Sequence, residues 1–287
     1  MTETDLVPNE PSLDPTTFLE GDLTADRLDS FKKAAFKSVD SFQHLRDWLF
    51  DPRAQGTARG IALWALGRHD EAAPLLAASD VNDVTAVCLA ESYAALGQID
   101  NAKECLPKRE SDPAQALAWL RALDATNATE QLVEETSRLT ALLPGPDQAY
   151  FRGRVLELQR AVDGSIEAYD EVLSHDENHK HALFRLALNV DLRGEDEEAR
   201  ELYERALMAP PVNIACVVNL GILYEDMGNY RRAMQCFDLA LHAHRVLRDR
   251  DHLRVGVGGQ VGRGHARERR ADEQRRRHHR PQRELRL

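Results

Sequence analysis

Two stretches decide the fold: HALFRLALNVDLRGEDEEARELYERAL, residues 181–207, and ACVVNLGILYEDMGNYRRAMQCFDLAL, residues 215–241. The second starts 34 residues after the first and carries the same residue classes at the same offsets. Leu186, Ala187, Gly194, Ala199, Tyr203 and Ala206 answer to Leu220, Gly221, Gly228, Ala233, Phe237 and Ala240. Apolar side chains recur at three- and four-residue steps within each stretch, the spacing of one helix face. Small residues at 187 or 221 and at 199 or 233 let two antiparallel helices approach closely. The aromatic at 203 or 237 fills the space toward the next unit. Glycine at 194 or 228 turns the chain between the helices, and Pro211 is expected to end the second helix. At the corresponding later position stands Arg245.

A fixed period of this kind decides architecture before any local propensity does. Residues 146–247 divide into three such units, the first more degenerate but keeping Gly153, Leu156, Tyr169, Val172 and Leu173. Upstream, LWALGRHDEA (63–72) and YAALGQIDNA (93–102) are two copies of one inter-helix turn, and residues 113–142 make a further pair without a clear motif. Five helix pairs are expected between about 53 and 244. Leu28, Phe31, Ala35, Val39, Phe42, Leu45 and Leu49 predict one capping helix within 26–52, stopped by Asp51-Pro52. Residues 1–25, rich in Pro, Thr and acidic side chains, are expected to be a disordered arm.

These offsets resemble the tetratricopeptide repeat. The resemblance implies an all-α solenoid of antiparallel helix pairs, degenerate over 53–145 and regular over 146–244, acting as a protein-interaction scaffold without catalysis. Residues 181–241 are also similar to bacterial proteins whose repeats lead into a domain like the C-terminal domain of the RNA polymerase α subunit. That similarity implies transcription machinery as a partner, although nothing after residue 244 resembles the domain.

In such arrays the first helix of each pair lines a concave groove. Carried over, the groove offsets are Asp147, Tyr150, Phe151, Arg154 and Glu157; His181, Phe184, Arg185, Leu188 and Asp191; and Ala215, Val218, Asn219, Ile222 and Glu225. Partner contact is expected from Tyr150, Phe151, Arg154, Phe184, Arg185, Leu188, Val218, Asn219 and Ile222. The family's clamp for a peptide carboxylate uses lysines and asparagines, and only Asn219 matches it here. A peptide with apolar anchors and an acidic residue suits the set. Equally, Phe184, Leu188, Val218 and Ile222 fit burial between helices.

Composition excludes other classes. The chain has 287 residues, 43% of them hydrophobic, which is ordinary globular usage. No apolar run is long enough to span a bilayer, and the start, MTETDLVPNEP, has no basic and apolar leader pattern, so a cytoplasmic protein is expected. Cys88, Cys105, Cys216 and Cys236 are too scattered for a zinc site and read as small buried hydrophobes. The HDENHKH stretch (175–181) reads as a solvated turn. No Ser/His/Asp, catalytic Cys or HExxH pattern occurs, and no cofactor or metal is implied.

The net charge of −11 hides a split. Residues 245–287 hold 14 Arg against six acids, while the preceding 244 residues carry −19. This tail uses only ten residue types, those whose codons can begin with C or G, although 66 of the first 237 residues belong to the other ten. An out-of-frame, GC-rich gene produces that pattern, so the tail is read as an unstructured frameshift product. The alternative is an Arg-rich arm that binds nucleic acid. It lacks Lys and aromatic side chains for stacking, and nucleic acid is not the expected partner. Its glycines (VGVGGQVGRG) match no phosphate-loop spacing.

Overall fold

The computed structural model describes residues 23–80, 82–208 and 212–250. Fourteen α-helices follow one another among these residues, with no strand. They are α1 (Ala25–Ala35), α2 (Val39–Trp48), α3 (Gly56–Ala65), α4 (His69–Ala77), α5 (Asp83–Ala95), α6 (Ile99–Glu104) and α7 (Pro113–Ala125). Then come α8 (Thr129–Leu139), α9 (Gly145–Leu158), α10 (Val162–His175), α11 (Lys180–Arg193), α12 (Asp196–Ala206), α13 (Ile214–Asp226) and α14 (Tyr230–Arg250). A single 3₁₀ turn, Thr140–Leu142, links α8 to α9.

One local device recurs in all six pairs from α3 to α14. The first helix ends on a residue with positive φ: Gly67, Gly97, Asn127, Arg160, Gly194 and Gly228. The next amide then donates back to the carbonyl five positions earlier, as in Gln98 N to Tyr93 O (2.8 Å), Ala161 N to Leu156 O (2.9 Å) and Asn229 N to Tyr224 O (2.7 Å). This left-handed cap reverses the chain and leaves the second helix antiparallel to the first. Glycine meets that conformation without strain at four of the six positions, whereas Asn127 and Arg160 adopt it at φ 54° and 63°.

In the C-terminal pairs, packing between the two helices rests on small residues under rings. A Cβ added at Gly153 would lie 2.7 Å from Cε1 of Tyr169, and one at Gly221 would lie 2.7 Å from Cε1 of Phe237. The rings in turn pack toward the next pair. Tyr169 and Tyr203 are both fully buried in a cluster that also holds Leu186, Leu202, Leu220 and Leu223. Two further clusters, around Trp119, Leu123 and Phe151 and around Phe31, Trp48, Ile61 and Trp64, continue the core toward the N-terminus. The core is thus a sequence of neighbour contacts, as in a solenoid.

Three expectations change. Six helix pairs, not five, lie between residues 53 and 250. The single N-terminal helix over 26–52 is two helices. Ser38 is extended (φ −149°, ψ 167°), and its hydroxyl accepts the Ser41 amide at 3.1 Å, which starts α2. The last helix runs to Arg250, beyond the expected tail boundary at 245, because no Gly or Pro interrupts residues 230–255. The arm before residue 23, the tail beyond 250 and Pro211 lie outside the described residues.

Candidate functional site

The first helices of successive pairs place one acidic residue at one offset. Glu91, Asp124, Glu157, Asp191 and Glu225 follow at intervals of 33 or 34 residues on α5, α7, α9, α11 and α13. In the inner pairs these acids are tied down. Trp64 Nε1 donates to Glu91 Oε2 at 3.0 Å, and Arg121 Nη1 lies 3.6 Å from Glu91 Oε1. Burial raises the Glu91 pKa, but Lys32, Arg121 and the Trp64 N–H more than offset it and hold the carboxyl below its ordinary range. Tyr169 O–H donates to Glu157 Oε2 at 2.8 Å, and in the next pair Tyr203 O–H donates to Asp191 Oδ2 at 3.2 Å. At the last pair the ring is Phe237, which has no hydroxyl, and Glu225 is exposed.

Arginines from neighbouring helices fill the spaces between the acids. Arg154 directs Nε and Nη2 to Asp124 Oδ1 (2.9 and 2.6 Å) and Nη1 to Glu157 Oε2 (2.9 Å). Arg185 Nη1 lies 3.3 Å from Glu157 Oε1, with Nη2 3.8 Å from Asp124 Oδ1. Burial opposes the charge on Arg154, yet the paired carboxylates outweigh it and strengthen its hold on the proton. Two arginines and two carboxylates thus form a compensated block linking α7, α9 and α11.

The expected groove residues separate accordingly. Phe151 is 1% exposed and belongs to the core, and Arg154 is 4% exposed and fully engaged with Asp124 and Glu157, so neither is available to a partner. This corrects their assignment as contact residues. Both lie where a neighbouring first helix covers them, which the offsets do not distinguish from facing the groove. Arg185 is half-buried and already paired. Tyr150 is half-buried, its ring edge-on to Phe151 (5.2 Å between centroids) and tilted against His179 (5.7 Å). Burial, followed by the charge of Asp124, pushes its hydroxyl up to about 12. Phe184, Leu188, Val218, Asn219 and Ile222 are all half-buried. Asn219 Nδ2 donates to Ala215 O at 2.7 Å, so its amide is partly spent on its own helix.

The HDENHKH turn also gains structure. His175, Asp176 and Glu177 are exposed, but His179 is half-buried and caps α11, its Nδ1 accepting the Ala182 amide at 3.1 Å. The expectation of a wholly solvated turn is corrected there. Among the described residues no group of three or more His, Cys, Asp or Glu is placed to hold a metal. Cys88 and Cys216 are buried, Cys105 and Cys236 half-buried, and burial raises all four thiols above their ordinary range. No described helix is long and apolar enough to cross a membrane.

Comparison with known proteins agrees with this geometry. A family model described as "Tetratricopeptide repeat" matches residues 214–254. Photosystem I assembly protein Ycf3 of Synechococcus sp. (strain CC9605) is 34% identical over 67 residues, which is 22% of this chain and 39% of that protein. Its counterpart from strain CC9311 gives the same figures. The chain therefore spans 39% of the length of these curated relatives. The solved structure titled "Crystal structure of APC/C hetero-tetramer Cut9-Hcn1" matches 79% of this chain and 48% of that one, with a TM-score of 0.55 and 16% identity, a likeness of fold. Residues 214–254 thus match the tetratricopeptide repeat model, and the stacked antiparallel helix pairs of the described residues share the fold of a tetratricopeptide-like solenoid.

Proposed function

We propose that the chain is a non-catalytic scaffold of the cytoplasm that holds a peptide or helix of a partner protein over the first-helix face of α11 and α13. The observation that carries this is a change of chemistry along one offset. Three residues before each column acid stand Arg121 and Arg154 in the middle pairs, but Leu188 and Ile222 in the last two. Phe184 and Val218 lie one turn earlier on the same helices, and all four side chains are half-buried. A half-buried apolar strip with Asn219 beside it and exposed Glu225 at its end suits a partner with apolar anchors at helical spacing. The partner's charge is basic rather than acidic, because Arg154 and Arg185 already answer Asp124 and Glu157 whereas Glu225 is exposed. Ycf3 is named for photosystem I assembly, and an assembly role for this chain, with a partner of its own, belongs to the same proposal.

The test is capture of a partner by the full chain and by a Leu188→Ser/Ile222→Ser variant whose helicity matches the parent. Loss of capture at unchanged helicity supports the proposal. Undiminished capture, or turnover of a substrate by the purified chain, overturns it.

A further inference from the structure

In an array where each pair touches only its neighbours, residues 36 and 180 have no reason to meet, because four helix pairs (α3 to α10) lie between them. Yet Lys180 Nζ, at the start of α11, lies 5.7 Å from the centroid of the Phe36 ring at the end of α1. On the other side of the same segment, Lys32 Nζ sits 4.2 Å above the Trp64 ring of α3. Helix α1 and its C-cap therefore reach both the first and the fifth of the regular first helices. Only a segment lying across the inner side of the curve does that.

The chemistry of the contact is that of a bound amphipathic helix. Leu28, Phe31 and Ala35, at i, i+3 and i+7, are 6%, 1% and 0% exposed. They share one buried cluster with Ile61, Trp64, Cys88 and Leu89 of α3 and α5. Cys88 stands three residues before Glu91, the offset that Arg121 and Arg154 hold in the following pairs. At this end of the array that offset is small and uncharged, and α1 covers it. Lys32, next to Phe31, places an ammonium over Trp64, whose indole N–H is bonded to Glu91. The segment has only 11 helical residues, too few to be stable alone.

We propose that α1 is an internal ligand of the inner face, seated on α3, α5 and the start of α11, and that it marks a second binding site. That site takes an amphipathic helix with apolar side chains at i, i+3 and i+7 and a lysine after the middle one. A partner long enough to use the whole inner face must displace α1. The scaffold proposal is needed only for that last step, since seating of α1 is measurable without any partner.

Three measurements on the full chain test the seating. With Phe36→Cys and Lys180→Cys together, a short bismaleimide joins positions 36 and 180 within one molecule; a cross-link between molecules instead overturns the proposal. In a Lys32→Glu variant, amide exchange over 25–35 rises at least tenfold while residues 56–95 keep their protection. A synthetic peptide of residues 24–37 binds a Phe31→Asp variant at least tenfold more tightly than the parent. Equal binding to both, or to neither, overturns it. So does loss of protection spreading into 56–95 in either variant, since α1 would then be a fixed part of the fold.

Discussion

Arg160 occupies the one backbone conformation in the array that its side chain most disfavours. It stands at the offset held by Gly194 and Gly228, with φ 63°, and its Cβ crowds the backbone there. Arg160→Gly removes that cost and keeps the bond from Ala161 N to Leu156 O, so stability rises by roughly 0.5–1 kcal/mol, after subtracting the extra freedom glycine gives the unfolded chain. Thermal melting should shift upward by a few degrees; a fall would show that the arginine side chain matters more than its backbone. The reverse holds at Gly153. Alanine favours helix by about 1 kcal/mol, but its Cβ would press the ring of Tyr169, which is pinned by its bond to Glu157. Overpacking of this kind costs about 1–3 kcal/mol, so Gly153→Ala should melt lower than the parent. The next pair carries Ala187 at this offset, in one buried cluster with Tyr203.

One helix end carries a pH response of its own. The α11 N-cap is the Nδ1 of His179, which accepts the Ala182 amide only while that nitrogen is unprotonated. Burial, against the pull of Asp176, holds the His179 pKa below its ordinary 6.5. A base whose folded pKa is depressed stabilises the fold above the unfolded value, and that contribution disappears as pH falls through 6.5 toward the folded value. His179→Asn supplies a cap that does not titrate. The difference in stability between the variant and the parent should therefore grow, in the variant's favour, between pH 7.5 and 5. A constant difference across that range would sink the idea. Helix ends also mark what was legible beforehand. Four of the six inter-helix turns announce themselves by glycine, while those at Asn127 and Arg160 are legible only through the apolar spacing of the helices around them. The break at Ser38 is hidden because it leaves the apolar spacing of Phe31, Ala35, Phe42 and Leu45 nearly in phase across the interruption. Glu157, Asp191 and Glu225 fall at the repeat's groove offsets, but the column through Glu91 and Asp124 depends on a 33-residue step in pairs that lack the motif. Burial of Phe151 and Arg154 depends on how far neighbouring helices close over them, and no local spacing encodes that.

At the scale of the whole molecule, the block of Asp124, Arg154, Glu157 and Arg185 decides whether the two ends of the array unfold together. It joins α7, α9 and α11 between the middle and C-terminal cores, and Arg154 is its best-connected member. Removing one partner of a buried ion pair leaves charge without compensation and costs about 3–5 kcal/mol. In Arg154→Ala, Asp124 retains the longer contact to Arg185 at 3.8 Å and the Tyr150 hydroxyl at 3.5 Å, and Glu157 keeps Arg185 and the Tyr169 hydroxyl. In a solenoid, such a loss falls on the affected interface and on the pairs beyond it, because stability is a sum of nearest-neighbour terms. Amide protection should collapse over residues 113–193 in this variant. Residues 56–95, packed around Ile61, Trp64 and Leu89, should exchange as slowly as in the parent. Denaturant unfolding should accordingly split from one transition into two, with only the earlier one moved by the substitution. A single transition shifted as a whole, with protection lost evenly from α3 to α13, would mean that the array folds as one cooperative unit and that the block is merely one contact among many. Either result bears on the test of the proposed surface: Arg154 is buried, so its loss acts by loosening the array, whereas Leu188→Ser and Ile222→Ser change half-buried side chains of that proposed surface.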